Sequence, residues 1–547
     1  MKSEVELYDT TLRDGCQREG LTLSLEDKLK IAQRLDQLGI HYIEGGYPGS
    51  NPRDQEFFAR ARAMTWQHAT VTAFGSTRYK TNRAEDDPNL QALLDTEAAV
   101  CTLVCKNSER HVRDVLGTTL DENLAMIADS IRFLRTHGRR VFYDAEHFFD
   151  GWRENAAYAR ACLRTAAEAG AECLVLCDTN GGMLTEDVTA MMDQVIAAVQ
   201  PGYAGTFGIH AHNDAELAVA NSLAAVRAGA THIQGTINGY GERCGNANLC
   251  SIIPNLVLKM GVPVVKEEQL AWLTESARYV AELANIALDP HLPYVGHSAF
   301  AHKAGYHADG MMKSSTSYQH SDPTLVGNDM RILISELSGR KAIATKLDQL
   351  GVELTDGVET SDIVERVKQL EHQGYQFEGA EASFDLLVRR RQADYRRPFE
   401  LEDFLIVVET HRRREEVIAE ATVKIRVGDE VQHTAGHGNG PVNALDDAMR
   451  KALLSFYPQL AAIRLTDYKV RVVDAGSGTA ATVRVLIEST NGPQTWSTVG
   501  SHTNIIQASW QALADSLEYG LLLTTGASPR YADAGAGMGQ GAGQQKQ

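Results

Sequence analysis

Two histidines, His210 and His212, lie in the run GIHAHND. In an extended strand residues i and i+2 share a face, so both imidazoles project the same way. Neutral imidazoles bind divalent transition metals, and such a site needs at least a third donor. Alone, the pair would be ordinary core or surface histidines. Far upstream, LYDTTLRDG ends in Arg13 and Asp14. Alone, Asp14 would be a turn or cap residue and Arg13 beside it a plain ion pair. With the two imidazoles, Asp14 completes a His2Asp donor set. Arg13 is always charged and forked, which suits a carboxylate or a developing oxyanion. More polar groups follow apolar runs: Glu44 in YIEGGYPGSNP, Glu146 in FYDAEHF, Asp178-Thr179-Asn180 in LCDTNGG, and Asn246 in NGYGERCGNANL.

For these groups to meet, the runs carrying them must be neighbours. Eight apolar runs recur up to about Gly235, from VELYDT and IHYIEGG to GIHAHND and ATHIQGT, with helical patterns between them. The first such pattern, SLEDKLKIAQRLDQLG, has Ser24 as a cap, Asp27 in its first turn and Gly39 at its end. Gly170 and Gly229 close later helical patterns in the same way. This period predicts an α/β fold, a (β/α)8 TIM barrel over residues 1–275. In a closed barrel strand 1 neighbours strands 2 and 8, and strand 7 is one further round. Asp14 can therefore face His210 and His212 across the C-terminal mouth, where this fold keeps its catalytic groups.

Beyond the barrel, residues 276–398 are expected to form a helical linker subdomain that contributes to the active site. Helical patterns run over about 265–287 and 340–372, around the His- and Gly-rich run HSAFAHKAGYHADGMMKSS. Period-2 alternation begins near Phe399 and predicts an α+β domain over 399–525. That domain repeats itself: HTAGHGNGPVNALDDAMRKAL from His433 aligns with STVGSHTNIIQASWQALADSL from Ser497, 64 residues on. Gly436 matches Gly500, and Ala444 matches Ala508. Two such units make a pseudo-twofold regulatory module, suited to an effector or a dimer contact. The Gly-, Ala- and Gln-rich tail over 526–547 is too polar to fold and is expected to be disordered.

The net charge of -18 over 547 residues argues against nucleic acid or an anionic membrane as partner. No run is long and apolar enough for a membrane span or a secretory signal. The 8 cysteines form no Cys-x-x-Cys pair, and Cys101, Cys105, Cys173 and Cys177 read as small buried strand residues. A reducing cytoplasm is the expected compartment.

DTTLRDGCQREG, HAHND, NGYGERCGNANL and FAHKAGYHADGM, in this order, resemble the signatures of the metal-dependent acyl-CoA Claisen condensation family: 2-isopropylmalate, homocitrate and citramalate synthases. EGGYPGSNPRDQEFF, VTAFGST and YDAEHFFDGW are most similar to the citramalate branch. That resemblance implies condensation of pyruvate with acetyl-CoA, as co-substrate, to (R)-citramalate and CoA, on the pyruvate route to isoleucine. The alternatives are a 2-isopropylmalate synthase, acting on 2-oxoisovalerate in leucine synthesis, or a homocitrate synthase. It further implies a divalent metal (Mg2+, Mn2+, Co2+ or Zn2+) on Asp14, His210, His212 and Asn246. Arg13, Glu146 and His307 are then catalytic, with Glu146 as base and His302 as the alternative to His307. Arg13, Glu44 and Thr179 bind substrate. A homodimer with a shared site and isoleucine as effector of the C-terminal domain are implied as well. A hydroxymethylglutaryl-CoA lyase would account for the barrel but not for the repeat. A non-catalytic amino-acid sensor would leave Arg13, Asp14, His210, His212 and Glu146 without a use.

Overall fold

The computed structural model describes residues 5–525 apart from 304–306, 308–309, 312, 315, 336–337, 339, 356–357, 412–415 and 474. The expected tail, 526–547, lies outside the described residues. Eight strands close a parallel barrel in sequence order. They are β1 (Glu6–Asp9), β2 (Tyr42–Gly46), β3 (Thr70–Ser76), β4 (Val100–Lys106), β5 (Arg140–Glu146), β6 (Cys173–Asp178), β7 (Thr206–Ala211) and β8 (His232–Gly235). β1 pairs with β2 on one side and with β8 on the other, which seals the sheet. Strands covered on both faces need near-continuous apolar sequence, and all six residues of β6, CLVLCD, are buried.

The helices start and stop where local chemistry dictates. In α1 (Leu25–Leu38) Ser24 and Asp27 form a reciprocal capping box, and Gly39 ends the helix at φ 88°. Gly170, also left-handed, ends α2 (Phe148–Ala169). Inside the barrel Tyr8, Tyr42, Val100, Phe142, Cys173, Val175 and Cys177 pack as one buried cluster. The barrel is thus a filled core with a floor, above which a site can open at the strand ends. Cys101, Cys105, Cys173 and Cys177 are free and buried, as expected for strand residues.

The chain divides into two compact units: 1–301 with 319–331, and 302–318 with 332–547. In the second unit the helical pattern over 340–372 resolves into α3 (Arg340–Leu350) and α4 (Thr360–His372). Gly351, at φ 62°, stops the first of them. A further helix, α5 (Glu381–Arg389), was not foreseen. Its Arg390 end donates to Asp515 and Glu518 of the last helix.

The repeat is two β-β-β-α modules. The first is β9 (Glu400–His411), β10 (Glu416–Val427), β11 (Glu430–Gly438) and α6 (Pro441–Leu453). The second is β12 (Arg464–Val472), β13 (Val483–Thr490), β14 (Thr495–His502) and α7 (Ile505–Thr525). Thr434 Oγ1 donates to the Ala448 carbonyl at 2.8 Å, and its counterpart Thr498 donates to Ala512 at 2.7 Å. A Cβ on Gly436 would strike the backbone of Ala444 and Ala448, and one on Gly500 that of Ala508. Both glycines permit the same close strand-to-helix approach. No helix among the described residues is long and apolar enough to cross a membrane.

Candidate active site at the barrel mouth

Asp14, His210 and His212 converge at the C-terminal end of the barrel, all three buried. His210 Nε2 lies 3.2 Å and His212 Nε2 3.9 Å from Asp14 Oδ2. The two Nε2 atoms are 3.3 Å apart. Asn246 reaches the same point, donating from Nδ2 to Asp14 Oδ2 at 2.8 Å. Its buried Oδ1 has no hydrogen-bond partner among the described residues. Nitrogen and oxygen lone pairs packed this closely, with a spare amide oxygen beside them, fit a divalent cation. Asn246 is placed by the loop after β8, where Gly245 sits at φ 94° and a Cβ would strike the Gly239 carbonyl. Only glycine meets both demands.

The charges are arranged to hold one another. Burial opposes ionisation of Asp14, but Arg13 and the two histidines outweigh it and hold the carboxyl well below its usual range. Burial likewise opposes the charge on Arg13, and Glu44 and Asp14 outweigh it, so the guanidinium is held more firmly protonated than usual. Burial pushes His212 down to about 4, with His210 adding to the effect.

Arg13 donates from Nε to Glu44 Oε2 at 2.6 Å, and its Cζ lies 3.8 Å above the Phe74 ring. Glu44, expected to bind substrate, is fully engaged within the protein. It is 0% exposed. Tyr8 donates to its Oε1 at 2.6 Å, and Thr10 and Arg13 both donate to its Oε2. With both oxygens engaged beneath the guanidinium, Glu44 holds Arg13 in place and is not among the residues that line the cavity above it.

A cavity of about 580 Å³ opens above this floor and is lined by Arg13, Asp14, Glu146, Thr179, His210 and His212. Glu146 lies 2.5 Å from Lys106 Nζ and its side chain is 25% exposed. Thr179 Oγ1 accepts from the His147 backbone N–H at 2.8 Å. Its neighbours in the DTN run are structural. Asp178 accepts from the Gly182 and Met183 N–H groups, and Asn180 donates to Asp150. His307 and His302 belong to the second unit, where the exposed His307 ring stacks on Tyr318 at 4.3 Å.

Sequence reasoning missed Lys106, Asp144, Gln234 and Arg243. Asp144 lines the cavity, and burial pushes it up to about 7 against the pull of His210. Its signal was the period-2 spacing to Glu146, the same as between the two histidines. Arg243 braces the mouth, donating to Asp214 and to the Thr179 carbonyl.

Residues 4–278 match the HMGL-like family, residues 294–375 the homocitrate synthase post-HMGL domain-like family, and residues 378–521 the LeuA allosteric (dimerisation) domain. The (R)-citramalate synthase of Geobacter sulfurreducens is 49% identical over 521 residues, 95% of this chain and 98% of that one. The chain belongs to the (R)-citramalate synthase family. The (R)-citramalate synthase of Streptomyces coelicolor is 51% identical over 520 residues, 94% of this chain and 96% of its own. A 2-isopropylmalate synthase from Methanocaldococcus jannaschii is 30% identical over a similar span, 94% of each chain. Membership of the (R)-citramalate synthase family makes the chain an acyl-transferring enzyme and places the isopropylmalate branch further away.

Proposed function

We propose that the chain condenses pyruvate with acetyl-CoA and water to give (R)-citramalate and CoA. The observation that carries this reading is the convergence of Asp14, His210, His212 and Asn246 with Arg13 and Glu146 in one cavity. A divalent cation held by those four ligands, whether Mg2+, Mn2+, Co2+ or Zn2+, supplies Lewis acidity toward the oxygens of the oxo acid. Thr179 holds the substrate carboxylate. Glu146 takes a methyl proton from acetyl-CoA, and the resulting carbanion attacks the ketone. Arg13, fixed by Glu44, stabilises the negative charge that develops. Hydrolysis of the thioester then releases CoA.

A second cavity of about 510 Å³ shares Val104 and Glu146 with the first and is lined by Arg78, Tyr79 and Lys106. It supports seating the CoA arm beside the proposed base. A homodimer is part of this reading, with His307 serving the partner's site and isoleucine acting as effector on the C-terminal domain. Leu405, Val407, Ile418 and Val431, exposed on one face of the first three-stranded sheet, support a surface for the second copy. The proposed compartment is the cytoplasm.

Pyruvate presents a methyl where 2-oxoisovalerate presents an isopropyl group. Each methylene-sized difference is worth about 1–3 kcal/mol in a shaped pocket. Free-thiol release should therefore favour pyruvate by at least about tenfold in kcat/KM. Equal turnover, or a preference for 2-oxoisovalerate, would move the chain to the isopropylmalate reading.

A further inference from the structure

Behind the candidate metal ligands a hydrogen-bonded chain crosses the barrel lumen. Gln234 of β8, 0% exposed, stands in register with His210 of β7. Its Nε2 donates to Asp144 Oδ1 of β5 at 3.0 Å. Its Oε1 lies 2.8 Å from His210 Nδ1. Asp144 Oδ1 thus accepts from the amide NH2. The amide oxygen then faces His210, and an oxygen there requires the proton on Nδ1. In the neutral, metal-binding ring that assignment leaves the lone pair on Nε2, the atom turned toward Asp14 and His212. His212 has no such support: its buried Nδ1 has no hydrogen-bond partner among the described residues.

We infer that Gln234, anchored by Asp144 across the lumen, is a positioning residue that fixes the ring orientation and tautomer of His210 for metal ligation. The inference rests on the metal-centre reading above. Outer partners of this kind commonly change metal affinity by about 10–100-fold. Below Gln234 and Asp144, Phe142 and His232 pack with Tyr8 as an aromatic floor.

The test is calorimetric titration of Mn2+ into the metal-stripped full chain. Gln234→Leu removes the acceptor at similar volume and should weaken binding by about 10–100-fold. The double variant Asp144→Asn/Gln234→Glu restores the relay with the charge moved one step: the new amide donates to the new carboxylate, which still accepts from His210. Its affinity should return to within about threefold of wild type. Wild-type affinity in Gln234→Leu, or a double variant as weak as Gln234→Leu, overturns the inference. If Gln234→Leu does not fold, Asp144→Leu decides. It frees the amide to turn either way and should cost at least about threefold, and unchanged affinity overturns the inference. Absence of Mn2+ binding by the wild-type chain would instead overturn the metal-centre reading itself.

Discussion

Asp14→Asn should lower kcat/KM for CoA release by on the order of 10³ or more, with the fold retained. The amide matches the carboxylate in size, and the site is 2% exposed, so little repacking is needed. What changes is charge and proton placement. The carboxylate is held ionised by Arg13 and the histidines against the cost of burial. An amide carries no charge for the cation, and its NH2 can turn a hydrogen toward the ring nitrogens that would otherwise ligate. Arg13 keeps Glu44 as its partner, so the arginine is not left buried alone. The check is a thiol-release assay beside a thermal melt. A variant that melts like wild type and keeps more than a tenth of its activity would remove Asp14 from the chemistry.

Glu146→Gln should lower kcat by about 10²–10⁴-fold while the KM for pyruvate moves only a few-fold. The side chain is 25% exposed and anchored by Lys106, so its loss costs little stability. An amide cannot take the methyl proton. The variant should therefore also lose exchange of the acetyl-CoA methyl hydrogens with deuterated water in the presence of a non-reacting oxo acid. A loss of kcat below about fivefold would assign the base elsewhere. Parallel losses in exchange and turnover tie Glu146 to proton removal and not to the later hydrolysis.

The barrel was legible because its eight strands repeat one pattern, an apolar run closed by polar residues and separated by capped helices. Buried parallel strands must be written that way. His210, His212 and Asp14 were legible for the same reason, since strand order and period 2 place them at one mouth. Glu44 followed the same rule, but its burial beneath Arg13 was not legible. A bulge between Glu44 and Gly46 breaks the strand's alternation. Nothing in YIEGGYPGSNP shows that Tyr8, Thr10 and Arg13 would take up both carboxylate oxygens. Gln234 was missed because a polar residue inside an apolar run has no signature until the strand opposite is known, and Asp144 because its period-2 spacing to Glu146 gains meaning only with that partner. Those two positions are 90 residues apart, and only barrel closure brings them together. The helical pattern over 340–372 hid its break because one glycine inside a helical pattern is weak evidence of a stop. The repeat was legible from few identities because the retained ones, Gly436 with Gly500 and Ala444 with Ala508, sit where strand and helix touch.

The central claim is that Asp14 and the two imidazoles act through a shared cation. The most direct measurement is CoA release from acetyl-CoA and pyruvate by chelator-stripped protein, before and after adding back Mn2+. Activity that vanishes on stripping and returns at stoichiometric metal is the predicted result. Undiminished CoA release from protein verified free of metal would contradict it.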